Sequence, residues 1–316
     1  MNNNKYPLVS VIMNCYNGEE FLRESIESVL AQTYTNFEII FWDNQSTDKS
    51  ADIVKSYSDP RIKYFYADKH TSLGEARNLA LNKTKGEYIA FLDVDDVWLP
   101  EKLDNQVPLF QDKIGLVYCS TETINSKGII INNNKPSISS QIFIKNLGDL
   151  MDEYDIVLSS AIISKNALQN LNKKFDNLLQ YSEEYDLFLR ILISYQAVYY
   201  SKILALYRIH KNQDTLKLFE RSIYEQEYIF LKLMLIYPDY FNNKRIYNQK
   251  KKIALTYFLN NIIKNNTVAA RRSIFPYMFS SWKYFLYYII SFMGSNAIKF
   301  FWDKKRGKEG KLTILS

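Results

Sequence analysis

Residues 88–100 read YIAFLDVDDVWLP, an apolar, strand-like run that ends in three carboxylates within four positions: Asp93, Asp95 and Asp96. Like charges this close repel, so a chain that crowds them at the end of a buried strand must offset the cost. A divalent cation, a cationic group on a ligand or exposure to water would each do so. A Ca²⁺ loop does not fit, because the segment DVDDVWLPEKLD has Trp98 where a turn glycine is required and Asp104 in place of the bidentate Glu. Capping of a helix beginning near Pro100 needs one carboxylate, not three, and Asp96 is the residue expected to supply it. A strand-end DxD suits a hard cation that takes oxygen ligands and keeps positions open for phosphate.

Outward from this stretch, strand-like and helix-like segments alternate. Residues 9–13 and 37–42 read as buried strands, 62–66 as a third, and 88–92 as a fourth. Between them, residues 19–32 carry Leu22, Ile26, Val29 and Leu30 at helical spacing, NQSTDKSADIVKSY supplies turn and cap residues before a short helix, and 73–84 form another. This rhythm predicts a mostly parallel sheet with helices on both faces. After a helix from Pro100 to about Phe110 come a strand at 115–120 and a hairpin around NSKG. From about residue 216 the pattern turns helical, basic and aromatic, so the expected division is 1–215 and 216–316.

In an open parallel sheet, ligands bind at the carboxyl ends of the strands. Here strand one ends in NCYN, strand two in DNQSTD and strand four in DVDD, so three polar clusters far apart in sequence are expected to share one crevice. A dinucleotide fingerprint and a Gly-Lys phosphate loop are both lacking, which disfavours nicotinamide redox chemistry and P-loop hydrolysis. The two cysteines, Cys15 and Cys119, form no disulfide framework or metal-type pair and read as buried small residues.

The segments VSVIMNCYNGEEFLRESIESVLAQTYTNFEIIFWDNQSTDKS and GEARNLALNKTKGEYIAFLDVDD strongly resemble the nucleotide-sugar domain of inverting family-2 glycosyltransferases of GT-A fold. The likeness is close over residues 7–115 and thinner through SEEYDLFLRI and YRIHKNQ to about 215. It implies a nucleotide-sugar donor, Mn²⁺ or Mg²⁺, and a glycan or lipid-linked acceptor in bacterial surface polysaccharide, lipopolysaccharide or glycoprotein glycan synthesis. It also implies roles. Asn14, Tyr16 and Asn17 would line the nucleoside pocket, Asp43 and Asn44 would meet uracil and ribose, and Arg77 would lie near the nucleotide. Asp93 would contact the ribose or a water of the metal, Asp95 would bind the metal, and His210 would add a metal or phosphate contact. Glu184 would be the catalytic base.

Two departures stand out. Where the family usually has a second acid after strand two, this chain has Asn44, which can accept from uracil N3–H only through its carbonyl oxygen. The usual Glu-Asp pair is Glu183-Glu184, one methylene longer at the base. Read without the resemblance, the same two glutamates are an acidic first turn favoured by the helix dipole, and Arg77 is a surface arginine on an amphipathic helix.

Charge is uneven along the chain. The net charge is +6, yet residues 241–316 hold 15 Lys and Arg against 2 Asp and Glu. With the aromatic runs of RRSIFPYMFSSWKYFLYYIISFMGSNAIKFFWDKKRGKEGK, this predicts either an anionic membrane surface met by residues 268–311 or a helical subdomain that packs its aromatics inward or into a homodimer. The apolar run 284–293 is too short to span a bilayer, the N-terminus lacks a signal-peptide pattern, and no nucleic-acid module is present. The expected location is cytoplasmic, peripheral on the inner face of the membrane. Two other functions stay open at this stage: a sugar-phosphate nucleotidyltransferase, and a glycosyltransferase-like binding protein without turnover.

Overall fold

The computed structural model describes residues 6–131, 141–211 and 213–293. The chain divides into two compact units, Met1–Asn212 and Gln213–Ser316.

The first unit is built on a nine-stranded sheet. Its first half consists of β1 (Val9–Cys15), β2 (Phe37–Asp43), β3 (Ile62–Tyr66) and β4 (Tyr88–Phe91), all parallel, in the order β3-β2-β1-β4. Every residue of β2 is buried, and all of β1 but Asn14, because both faces of the sheet are covered; that is why these strands read as mostly apolar runs, with Ser10 donating to Glu38 at 2.6 Å inside. Val11, Met13, Ile39 and Phe41 pack on one side with Leu22, Ile26 and Val29 of helix α1 (Leu22–Leu30). Each such fully buried side chain contributes roughly 1.5–3 kcal/mol. Helix α2 (Ser50–Lys55) follows β2, and α3 (Leu73–Leu81), capped by Ser72, lies against β1 and β2.

The second half of the sheet departs from parallel. β5 (Val97–Trp98), β6 (Ile114–Asn125), β7 (Ile142–Lys145), β8 (Ile162–Ser164) and β9 (Gln196–Ile209) extend it as β4-β8-β6-β9-β5, with β7 also on β9. β8 is antiparallel to both β4 and β6, whereas β6 and β9 run parallel. The NSKG turn is present: Asn125 Oδ1 accepts from the amides of Lys127 and Ile129, and Gly128 sits at φ +74°. Helices α4 (Lys102–Gln106), α5 (Leu147–Asp152), α6 (Lys165–Gln169) and α7 (Glu183–Ile191) complete this unit.

One pairing positions the site. β5 is antiparallel to β9, Val97 opposite Leu206 and Trp98 opposite Ala205, and this holds the DVDD loop beside the carboxyl end of β9.

The second unit is helical, with α8 (Asp214–Ile236), α9 (Asn243–Ile263), α10 (Thr267–Ile274) and α11 (Trp282–Ile290). Its core gathers Phe258, Ile262, Ala270, Ile274 and Tyr284. Among the described residues no helix is long and apolar enough to cross a membrane. The part of the 268–311 tail beyond residue 293 lies outside the described residues.

Candidate active site

The three polar clusters do converge. In register, Cys15 stands opposite Asp43 and Asp43 opposite Tyr66, so the carboxyl ends of β1, β2 and β3 are level. The loops after β1 and β2 are laced together. Asn17 N–H donates to Ser46 Oγ at 3.0 Å, Gly18 N–H to Ser50 Oγ at 3.0 Å, and Glu19 N–H to Asp48 Oδ2 at 2.9 Å. In return, Asn17 Oδ1 accepts from Thr47 N–H at 2.8 Å. The β4 loop closes on the same place: a Cβ at Gly18 would lie 2.7 Å from Val94 Cγ2, so glycine is what lets the loops touch.

At the end of β2, Asp43 is fully buried, accepting from Ser46 N–H at 2.7 Å and from Tyr64 Oη–H at 2.7 Å. Asn44 is 6% exposed. Its Nδ2 donates to the Thr71 carbonyl at 2.9 Å, and its Oδ1 accepts from Thr71 N–H and Oγ1–H at 3.2 and 3.1 Å. Both ends of the amide are therefore spent on Thr71, behind the crevice lining. The front is aromatic: Tyr16, half exposed, packs its ring 4.3 Å from that of His70, whose Nδ1 lies 2.9 Å from the Asn44 carbonyl oxygen. His70 carried no sequence signal beyond its loop position. Asn14 Nδ2 is buried with no hydrogen-bond partner among the described residues.

At the end of β4 the three carboxylates separate by environment. Asp93 and Asp95 keep part of their side chains in water, 41% and 24%. Asp96 is fully buried, which corrects the expected helix cap: α4 begins at Lys102, and Asp96 instead accepts from Ser159 Oγ–H at 2.6 Å and Arg208 N–H at 2.9 Å. Burial, and then Asp95, push its carboxyl well above the usual range. Arg208, 1% exposed, staples the loop from behind, donating Nε–H to the Asp95 carbonyl at 2.7 Å and pairing with Glu24 at 2.6 Å. Its guanidinium carbon lies 4.6 Å from the ring centre of Phe21. Two residues on, with the alternation of a strand, His210 Nε2 lies 2.9 Å from Asp95 Oδ2 while its ring packs on the same Phe21 at 5.0 Å. His210 Nδ1 is buried and has no hydrogen-bond partner among the described residues.

Asp95 and His210 thus present a carboxylate oxygen and an imidazole nitrogen at one point, with Asp93 nearby in sequence. That donor set fits Mn²⁺ or Mg²⁺. No group of three or more His, Cys, Asp or Glu side chains among the described residues is gathered as a complete cage. An ion here would take its remaining ligands from water and a diphosphate.

Arg77 links this loop to α7. Its side chain is 4% exposed; Nη2 lies 3.3 Å from Asp93 Oδ1, Nη1 bonds Glu183 Oε1, and Nη1 is 3.9 Å from Glu184 Oε2. Glu183 is 2% exposed and Glu184 23%. The two glutamates are therefore unlike, one sunk against the arginine and the other open to the crevice. Burial, followed by the charge of Glu183, pushes the Glu184 carboxyl up to about 8. Tyr154 and Tyr185, packed edge to face at 4.7 Å, belong to the same buried surroundings.

The family model described as Glycosyl transferase family 2 matches residues 10–172. The chain belongs to glycosyl transferase family 2. Among relatives of this glycosyltransferase is an uncharacterized glycosyltransferase of Rickettsia typhi, 34% identical over 226 residues, which are 68% of each chain. Another is the Escherichia coli UDP-Glc:alpha-D-GlcNAc-diphosphoundecaprenol beta-1,3-glucosyltransferase WfgD, 40% identical over 124 residues, 39% of this chain and 49% of that one. Solved structures share its GT-A fold. S. aureus TarS 1-349, solved in complex with UDP-GlcNAc, gives a TM-score of 0.62 at 16% identity over 84% of this chain and 80% of that one. The mannosyltransferase PcManGT from Pyrobaculum calidifontis, in complex with GDP-Man and Mn²⁺, gives 0.56 at 17% identity over 94% and 88%.

Within this glycosyltransferase, Asn14, Tyr16, Asn17, Asp93, Asp95, Glu184 and His210 keep part of their surface exposed, whereas Asp43, Asn44 and Arg77 are buried. Arg208 and Ser159, which hold the loop geometry, were not foreseen, nor was the ion pair of Glu183 with Arg77. For Arg208 a signal existed, since it stands two residues before His210 near the end of β9.

Proposed function

We propose that this glycosyltransferase moves a sugar, with inversion, from a nucleoside-diphosphate donor, a UDP-sugar, to a hydroxyl of a glycan or lipid-linked acceptor. The observation that carries the reading is the pairing of one open carboxylate, Glu184, with the Asp93–Asp95–His210 loop through the buried guanidinium of Arg77. Acid and cation sites are held at a fixed separation, as a displacement at an anomeric carbon requires.

Asp95 and His210 would hold Mn²⁺ or Mg²⁺, which when bound supplies charge neutralisation for a departing diphosphate. Glu184 takes the proton of the acceptor hydroxyl as its oxygen bonds to the anomeric carbon and the bond from that carbon to the diphosphate oxygen breaks. Tyr16 and His70 offer a ring surface to the base, and Asn14 Nδ2 an unspent donor. Asn44 acts by holding Thr71 with its side-chain amide, while its backbone carbonyl meets His70 Nδ1. Arg77 acts from behind Glu184 and Asp93 and not on the nucleotide.

Support for donor and acceptor class comes from the names of relatives. WfgD acts with UDP-Glc on a diphosphoundecaprenol-linked sugar, and TarS was solved with UDP-GlcNAc. Lipid-linked acceptors place the work at a membrane face, which the basic C-terminal unit suits. The nucleotidyltransferase alternative is not the family that the chain matches. Transfer from a panel of UDP-, GDP- and dTDP-sugars to an undecaprenyl-diphosphate-linked GlcNAc, with Mn²⁺ present or chelated, tests the reading. Transfer from none of them would refute it.

A further inference from the structure

Helix α11 is apolar on two faces, and among the described residues one of them is packed while the other stays exposed. Tyr284, Tyr287 and Tyr288 turn inward onto Phe258, Ile262, Ala270 and Ile274. On the other side Trp282, Leu286 and Ile289, at spacings of four and three, are 74%, 39% and 45% exposed. The helical segment just before α11 adds Phe279 at 81% exposed, and the segment just after adds Phe292 at 62%. Rings join them into one patch: Phe285 lies 5.6 Å from Trp282 and 6.3 Å from Phe279. A water-soluble helix does not ordinarily carry a second apolar face without something to cover it.

Charge says what covers it. Between Asp239 and Asp303 the sequence has ten Lys and Arg and no Asp or Glu. Near the patch, Arg272 and Lys283 are exposed, and the guanidinium of Arg271 lies 4.5 Å from the ring centre of Phe292. A second copy meeting this face with the same face would need acidic groups opposite these cations, and the stretch between Asp239 and Asp303 that carries the face has none. Anionic lipid headgroups supply the charge, and the acyl boundary supplies an apolar phase for the rings. A nine-residue helix with Trp at its start lies in such an interface and does not span it.

We propose that the face formed by Phe279, Trp282, Leu286, Ile289 and Phe292 docks this glycosyltransferase on an anionic bilayer. The inference rests on the lipid-linked acceptor reading only for its purpose; the surface binds whether or not acceptor is present.

The full chain is floated with vesicles of neutral phosphatidylcholine, or of phosphatidylcholine with 30% phosphatidylglycerol, in low and high salt. Binding to the anionic vesicles only, weakened by salt, is expected. The double variant Phe279→Glu/Trp282→Glu should lower partitioning at least ten-fold, and Arg272→Gln roughly five-fold. All these side chains are exposed, and an unchanged far-UV spectrum and melting temperature confirm that the variants fold. UDP-sugar binding, followed in the same samples without vesicles, separates the two readings. If donor binding persists while wild-type chain ignores both vesicle types, the docking face is refuted and the transferase reading stands. Equal flotation of the Glu variant also overturns the proposal. So does a dimer that the same substitutions dissociate, in a chain that does not float.

Discussion

The guanidinium of Arg77 and the carboxylate of Glu183 form an ion pair with almost no exposure, 4% and 2%, directly behind Glu184. The same arginine reaches Asp93 at 3.3 Å, so one side chain ties the first turn of α7 to the loop after β4. Burial works against each of these charges singly, and the geometry holds only while all are present.

Removing the arginine therefore strands a buried carboxylate. Arg77→Met should cost about 3–5 kcal/mol in urea unfolding. Arg77→Lys keeps the charge but loses the fork that serves two carboxylates at once. It should fold better than the Met variant while still losing most transfer. Equal stability of Arg77→Met and wild type would show that the pair does not hold the site.

If Glu184 is the base, as proposed, its charge state sets the rate. With its carboxyl pushed up to about 8 by burial and by Glu183, it is mostly protonated at pH 6 and cannot accept a proton there. The rate should rise about ten-fold per pH unit below 8 and level off above it. Glu184→Gln should lower turnover by about 10²–10⁴ with donor affinity unchanged. A flat pH profile, or a Gln variant that still turns over, would move the base elsewhere.

Gly18 offers a test of loop packing. An alanine there meets Val94 Cγ2 at 2.7 Å and pushes the β1 loop away from the DVDD loop. Gly18→Ala should weaken donor binding about ten-fold, and Val94→Ala in the same chain should recover most of the loss, because it removes the clashing carbon. Failure of the second substitution to rescue would show that the contact is not what matters.

The parallel half of the sheet was legible because strands covered on both faces must be mostly apolar, and β1 and β2 are, their buried Ser10 and Glu38 being hydrogen-bonded to each other. The crevice was legible for a related reason: polar residues at strand ends have few other places to go. What stayed hidden were the uses of individual groups. Asp96 looks like a cap in sequence, yet its partners, Ser159 and the Arg208 amide, lie 63 and 112 positions away. Asn44 looks like a base contact, but the Thr71 backbone that takes both ends of its amide carries no side-chain signal. Arg77 looks like a surface arginine until Phe175, Asp93 and Glu183 are folded around it. Local pattern announces elements; long-range pairing of buried polar groups does not show in spacing.

The central claim is that the Asp95–His210 corner holds a divalent cation for a nucleoside-diphosphate sugar. It is tested most directly by thermal unfolding of wild type and Asp95→Ala with Mn²⁺ and saturating UDP-sugar. At one hundred times its dissociation constant, a bound donor should stabilise the wild-type fold by about 2.7 kcal/mol, and the gain should vanish with chelator and in Asp95→Ala. A UDP-sugar that stabilises both proteins equally, or no nucleotide sugar that stabilises either, would contradict it.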